Sequence, residues 1–371
     1  MSLKRVIISG GGTGGHIFPA IAIADEIKRR SPDAEILFVG AKGKMEMEKV
    51  PAAGYRIVGL TIAGFQRKLT LSNLMLPFKL ISSMLKARSI LREFKPQIVI
   101  GVGGYASGPT LKAATMLGIS TLVQEQNSFP GKTNKLLAKD VAAICTAYDG
   151  LDRFFPKEKI VLTGNPVRNE MVRIHGKREE AFAQFGFDPH KRTILVLGGS
   201  LGARTLNESV LTAYDQLRDS GIQVLWQCGK LYHAELSERI SGSQTPNIKM
   251  TMFIERMDLA YAMADVIISR AGAISISELC IVGKPLILVP SPNVAEDHQT
   301  KNAMALVEKH AALLIRDTDA PTALIPKAIE LAKDNLQCRE LSAAIVKLGK
   351  PDATERIVDE IEKIVGRNGK D

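Results

Sequence analysis

His16 closes the run Gly10-Gly11-Gly12-Thr13-Gly14-Gly15. It is the residue there that can move a proton near neutral pH. The five glycines have a different use. They let backbone N–H groups approach an anion with no Cβ in the way, and a helix beginning just beyond adds the positive end of its dipole. A phosphate site is therefore expected at this turn. Gly10, Gly12 and Gly15 also satisfy G-x-G-x-x-G, the dinucleotide fingerprint, which alone is a weak signal. A nicotinamide-binding version needs an acidic residue at the end of the second strand. Here Glu35-Ile36-Leu37-Phe38-Val39 ends in Gly40, which argues against a dehydrogenase. The bland alternatives are a plain tight turn for the glycines and a helix-capping or phosphate-orienting role for His16.

Three groups in the second half suit a sugar nucleotide. Gly198-Gly199-Ser200-Leu201-Gly202-Ala203 repeats the opening pattern of strand, glycine turn and helix, with Ser200 suited to a diphosphate. The stretch from Ser269-Arg270-Ala271-Gly272 to Glu278 runs from a strand into a helix, where Glu278 can accept hydrogen bonds from two vicinal ribose hydroxyls. The competing arrangement is a capping box, with Ser275 as N-cap and Glu278 three residues on. Glu296-Asp297-His298-Gln299 offers amide and imidazole groups to sugar hydroxyls or to a helix end. Asp317 and Asp319 have the spacing of a metal-holding carboxylate pair. They are expected instead to form a solvated turn remote from the glycine turns.

At 371 residues the chain is long enough for two domains, each with its own core. A 45% hydrophobic share with 5% aromatics is that of a soluble globular protein. The net charge of +10 favours anionic partners. Nucleic acid fits least, since there is no long Lys/Arg run or aromatic-basic motif. Cys145, Cys228, Cys280 and Cys338 lack paired spacing, so no metal cluster or disulfide framework is expected. A strand starts almost at once and no run of about 18 apolar residues occurs, so neither export nor a membrane span is expected.

The reactive groups need elements to hold them. Strand signals at 35–39, 55–60, 98–102, 120–123 and 142–146, with helical stretches between most of them, predict a parallel, doubly wound α/β sheet. An amphipathic helix is expected from Pro19 onward. The turns at 101–109 and at Gln124-Glu125-Gln126-Asn127 fall at strand ends on the same rim as the first turn, where such sheets bind ligands. After Gly164-Asn165-Pro166-Val167-Arg168 a second Rossmann-type domain follows, with strands at 193–197, 224–227, 266–269 and 285–289. The expected division is residues 1–168 and 169–349, with a C-terminal amphipathic helix within 350–371 packing back on the first domain. Two such sheets facing through their strand ends would form a cleft.

In order along the chain, these motifs resemble the MurG family, bacterial glycosyltransferases that add N-acetylglucosamine to the lipid-linked muramyl-pentapeptide of peptidoglycan synthesis. The carriers begin with Gly11 to His16 with Pro19-Ala20, Gly103-Gly104-Tyr105 with Ser107-Gly108-Pro109, and Glu125-Gln126-Asn127. Gly164 to Arg168, Gly198 to Ala203, Arg270-Ala271-Gly272-Ala273 with Glu278-Leu279, and Asp297-His298-Gln299 with Asn302-Ala303 complete them. Gln124 departs from the pattern, because members commonly have His there.

The resemblance implies a GT-B fold of two Rossmann-like domains, with the acceptor mainly on the N-terminal half and UDP-N-acetylglucosamine mainly on the C-terminal half. By the family's pattern Thr13, Gly14, Gly15, Asn127, Arg168, Ser200, Ile254, Ala273, Ile274, Ser275, Ile276, Ser277, Glu278 and Gln299 would contact the donor. Ile254 would do so at the uracil through its backbone. His16 is the expected base for an inverting displacement, with helix N-termini and Arg168 stabilising the departing UDP and no cofactor or metal ion required. The implied partners are UDP-N-acetylglucosamine, undecaprenyl-linked muramyl-pentapeptide (lipid I) and an anionic membrane surface, met peripherally on its cytoplasmic side. A membrane face is expected within residues 65–92, where Leu74-Met75-Leu76-Pro77-Phe78-Lys79-Leu80-Ile81 lies among Lys68, Lys86, Arg88 and Arg92. The alternative is that Leu76, Leu80 and Met84 face the core. A UDP-sugar epimerase of the same twin-domain fold, which would want clustered carboxylates or histidines, and a non-enzymatic sugar-nucleotide or lipid binder are the rival functions.

Overall fold

The computed structural model describes residues 3–62, 76–167 and 169–368. The chain divides into two compact units, residues 1–167 with 352–371, and residues 168–351. The first is built on a seven-stranded parallel sheet in the order 3-2-1-4-5-6-7. Its strands are β1 (Arg5–Ser9), β2 (Glu35–Ala41), β3 (Arg56–Leu60), β4 (Ile98–Gly101), β5 (Ser120–Glu125), β6 (Ala143–Thr146) and β7 (Ile160–Leu162). Val6, Ile7 and Ile8 of β1 are all 0% exposed because helices cover both faces of the sheet. Alternate side chains feed opposite cores. Val6 and Ile8 pack with Ile17, Ile23 and Ile27 of helix α1 (Gly14–Arg30), while Ile7 packs with Ala87, Ile90 and Leu111.

The helix Ala353–Asn368 completes the first of these cores. Ile357, Val358, Ile361, Ile364 and Val365 form one buried stripe at helical spacing against α1. Arg30 ties the pair together, donating to Asp359 at 2.6 Å, Glu362 at 3.2 Å and the Glu355 carbonyl at 3.0 Å.

The second unit holds β8 (Thr193–Leu197), β9 (Gln223–Gln227), β10 (Ile248–Thr251), β11 (Val266–Ser269), β12 (Leu286–Leu288) and β13 (Leu313–Leu314). Their order, 10-9-8-11-12-13, is again parallel throughout. In both sheets the strand order reverses beside the strand that precedes a glycine turn, between β1 and β4 and between β8 and β11. Ligands of open α/β sheets bind at such points.

Two expectations are corrected. Helix α1 begins at Gly14 rather than Pro19, so His16 lies in its first turn. Pro19 sits inside it, at the cost of one backbone bond. Strand β5 runs on to Glu125, so Gln124 and Glu125 are strand residues, not part of a turn.

Candidate active site

In the first unit the glycine turn and the first turn of α1 fix the imidazole of His16. Its Nδ1–H donates to the Gly11 carbonyl at 3.0 Å, and the Thr13 hydroxyl lies 3.3 Å from the same nitrogen. A carbonyl only accepts, which assigns the proton to Nδ1 and the basic lone pair to Nε2. Gly103 lies against the Nε2 edge of the ring. It has φ +93°, and a Cβ there would come within 2.9 Å of Nε2. A Cβ on Gly104 would meet the Gly11 carbonyl oxygen at 2.4 Å. The turns after β1 and β4 therefore touch backbone to backbone, which only glycine permits.

The hollow of the first turn is filled by the protein itself. Glu46, the first residue of helix α2 (Glu46–Ala52), is 1% exposed. Its Oε2 accepts from Gly12 N–H at 2.8 Å and its Oε1 from Ala41 N–H at 2.9 Å. Of the amides expected to seat a phosphate on this turn, that of Gly12 already holds a carboxylate. Thr13, Gly14 and Gly15, at the exposed mouth of α1, remain on the outer side.

At the end of β5 the buried Glu125 carboxylate gathers the following loop. It accepts from Asn127 N–H at 3.0 Å, Asn127 Nδ2 at 3.2 Å, Gly131 N–H at 3.1 Å and Asn134 Nδ2 at 2.7 Å. Gln124 donates to Asn165 at 2.8 Å, Asn165 to the Gln126 carbonyl at 3.0 Å, and Gln126 to the Val102 carbonyl at 2.8 Å. This amide network joins the ends of β4 and β5 to the segment after β7. Arg168 lies outside the described residues.

In the second unit the turn after β8 is open. Nothing lies within 4 Å of a Cβ built on Gly199, and Ser200 and Leu201 are exposed. The turn is braced from behind, where a Cβ on Gly229 would come within 2.0 Å of the Gly202 nitrogen. Lys230 N–H donates to the Ser200 carbonyl at 3.0 Å. The helix Ala273–Val282 has Gly272 as its N-cap, so the capping box is corrected: Ser275 is already helical. Ala273, Ile274, Ser275 and Ser277 are partly buried, and Ser277 donates to the Ala273 carbonyl at 3.0 Å. Ile276 turns its side chain into the core, with its N–H donating to the Gly272 carbonyl at 2.9 Å. Glu278, in the second turn, is 8% exposed. Gln299 accepts from Ala271 N–H at 3.2 Å and Ser291 N–H at 2.8 Å, binding the ends of β11 and β12 together. The N–H of Ile254 is committed to Gln227 Oε1 at 3.1 Å.

Asp317 is also corrected. It accepts from Arg270 and, at 2.9 Å, from the Thr205 hydroxyl, so it joins the β11 turn to the first turn of the helix after the β8 turn. Arg270 additionally donates to the Val289 carbonyl at 3.1 Å. Sequence reasoning missed Glu46 altogether and, though it named Arg270 and Asp317, missed their pairing. Their partners lie 47 and 34 residues away, beyond any local spacing rule. Among the described residues no group of three or more His, Cys, Asp or Glu side chains is arranged to hold a metal.

Beside the first sheet, the helix Leu76–Phe94 buries Ser83, Ala87, Ile90 and Leu91 and leaves Leu80, Ile81 and Leu85 outside at 43, 57 and 63% exposure. Leu80 thus does not face the core. Residues 65–75 and the side chains of Leu76, Pro77, Phe78 and Lys79 lie outside the description. No described helix is long and apolar enough to cross a membrane.

Residues 6–146 match the glycosyltransferase family 28 N-terminal domain and residues 193–357 its C-terminal domain. The UDP-N-acetylglucosamine--N-acetylmuramyl-(pentapeptide) pyrophosphoryl-undecaprenol N-acetylglucosamine transferase of Cytophaga hutchinsonii is 58% identical, covering 99% of this chain and 98% of its own. Its counterpart from Phocaeicola vulgatus is 56% identical over the same shares. The crystal structure of Acinetobacter baumannii MurG superposes with a TM-score of 0.79 at 28% identity, covering 97% of this chain and 99% of its own. With two Rossmann-like sheets of the GT-B kind and this likeness along its length, the chain belongs to glycosyltransferase family 28, in its MurG branch.

Proposed function

We propose that the chain transfers N-acetylglucosamine from UDP-N-acetylglucosamine, with inversion, to the 4-hydroxyl of undecaprenyl-pyrophosphoryl-N-acetylmuramyl-pentapeptide. The observation that carries the mechanism is the 3.0 Å contact of His16 Nδ1 with the Gly11 carbonyl: an acceptor there assigns the proton to Nδ1, so Nε2 is the nitrogen that takes a proton. As the acceptor oxygen bonds to the anomeric carbon, its proton passes to Nε2 and the bond to UDP breaks. Charge then grows on the diphosphate. The open Ser200 turn, ahead of the helix Arg204–Thr212, supplies backbone N–H groups and a positive dipole end there. Arg168 is assigned to the same charge.

The remaining assignments follow the groups each residue presents. Glu278 receives the ribose hydroxyls. The Ile254 carbonyl meets the uracil, since its N–H is already used. Within the second unit Gln299 and the turn from Ala273 to Ser277 are assigned to the donor, and within the first Thr13, Gly14, Gly15 and Asn127 are assigned to it as well. The first unit takes mainly the acceptor and the second mainly the donor. Exposed Leu80, Ile81 and Leu85 beside exposed Lys86, Arg88 and Arg92 suit a peripheral contact with an anionic leaflet on the cytoplasmic side. The decisive experiment incubates the pure protein with labelled UDP-N-acetylglucosamine and the lipid acceptor. Transfer with inverted anomeric configuration is expected. Retention, epimerised nucleotide, or binding without transfer overturns the reading.

A further inference from the structure

Behind His16 lies a carboxylate with no part in the mechanism above. Both edges of the Gly11–Gly12 peptide are engaged. On one edge Gly12 N–H donates to Glu46 Oε2 at 2.8 Å; on the other the Gly11 carbonyl accepts from His16 Nδ1–H at 3.0 Å. The peptide is trans, so its N–H and C=O point in opposite directions, and Glu46 and His16 sit across one rigid plane. Hydrogen bonds in series polarise one another. A negative charge on the N–H side enriches the carbonyl oxygen, which then holds Nδ1–H more strongly.

The slot is shaped for this carboxylate. A Cβ on Gly11 would lie 2.2 Å from its carboxyl carbon, and one on Gly40 would lie 2.6 Å from Glu46 Cγ. Its second oxygen is held by Ala41 N–H, so both oxygens face backbone donors and the group has one orientation. Glutamine has the same outline but must turn its NH₂ toward one of those N–H groups.

We propose that Glu46 is a positioning residue that acts on His16 through the Gly11–Gly12 peptide. It fixes the Nδ1–H tautomer and supports the imidazolium once Nε2 has taken the acceptor's proton. This is the service an orienting carboxylate gives a catalytic histidine, displaced by the length of one peptide. The inference rests on His16 being the base.

The test is Glu46→Gln in the full chain, alone and combined with His16→Ala. Alone it is expected to lower kcat by about 10- to 100-fold, as a slight misplacement of a catalytic group does, with KM for UDP-N-acetylglucosamine within about twofold of the parent. In the His16→Ala background it should cost less than about twofold more, because the two act as one unit. The ring ¹⁵N spectrum of His16 should change from the Nδ1–H pattern to a mixture of tautomers, a signal that a merely structural role would not move. If Glu46→Gln does not fold, Gly11→Ala, which drives a methyl into the carboxylate, must reproduce the loss of kcat. Parental kcat and tautomer in Glu46→Gln, or the same fold-loss with and without His16, overturns the proposal. Failure of the base reading looks different: His16→Ala alone then turns over at nearly the parental rate, whatever Glu46→Gln does.

Discussion

The glycine turns after β1 and β8 are alike in sequence and opposite in what fills them. In the first, the protein supplies the anion: Glu46 occupies the hollow and the Gly12 amide is spent on it. In the second, Ser200 and Leu201 are exposed and the brace comes from behind through Gly229. A turn stoppered by its own carboxylate is a rigid mount for a neighbouring side chain. One left open at a helix N-terminus suits the diphosphate proposed for it. On the reading proposed above, the same backbone motif serves orientation in one unit and binding in the other, and the deciding residue lies far away in sequence.

The largest effect that can break this contrast is on the first turn. His16→Ala is expected to lower turnover by about 10²- to 10⁴-fold while the affinity for UDP stays near the parental value. Steady-state kinetics with calorimetry of UDP binding checks it, and a variant that loses UDP instead would make the first turn a binding turn as well. Next comes the second unit, where Glu278→Ala should weaken UDP binding by about 1.5–3 kcal/mol, the range for hydrogen bonds to a charged group, and leave the acceptor KM alone. Equal weakening of both substrates would erase the division of labour.

A smaller effect sharpens the comparison of how each turn is braced. Gly229→Ala places a methyl 2.0 Å from the Gly202 nitrogen at φ +86°, whereas Gly12→Ala, at φ +87°, meets nothing within 4 Å. Both carry backbone strain of about 1–3 kcal/mol, and the first adds a clash. Thermal unfolding should therefore fall further for Gly229→Ala, and its weakened UDP binding should exceed that of Gly12→Ala. Identical melting curves would mean that the second turn yields where the first does not.

The smallest expected effect is a pH dependence within the second unit. The Arg256 guanidinium beside Asp258, with Lys177 adding to it, holds that carboxyl well below the usual carboxylate range. A lowered folded pKa contributes stability that is complete above the unfolded value and is lost as pH falls toward the folded one. Asp258→Asn should lower stability by about 1 kcal/mol near neutral pH, because Arg256 is half-exposed. The difference from the parent should shrink below about pH 4. Melting curves at pH 7, 4 and 3 check the sign, and a gap that stays constant with pH would remove the ion pair as its cause.

What could be read from sequence, and what could not, follows the range of the forces involved. Strands such as Thr193–Leu197 and Val266–Ser269 are buried on both sides and bounded by turns, so composition alone marks their ends. The short β7, β10 and β13 carry weaker apolar runs and are fixed by their single neighbours in the sheet. The start of α1 at Gly14 hides because glycine is a poor helix former, and here packing against the turn after β4 overrides that preference. At the site, His16 and the glycine turns are legible because their chemistry is local. Glu46 carries no local signal and Asp317 is expected in a solvated turn, since what makes them otherwise is a partner brought in by the fold.

The return of the Ala353–Asn368 helix to the first unit has a consequence for how the chain is made. Residues 168–351 form one uninterrupted stretch and carry all the parts of their own core when they leave the ribosome. The N-terminal unit emerges earlier yet waits, because Ile357, Val358 and Ile361 are synthesised after almost everything else. The first unit begun is thus the last whose core has all its parts, against the usual order of domain-by-domain completion. Until the helix Ala353–Asn368 is made, the part of this core that Ile357, Val358 and Ile361 supply is missing, and the apolar surface they cover is a natural foothold for a chaperone.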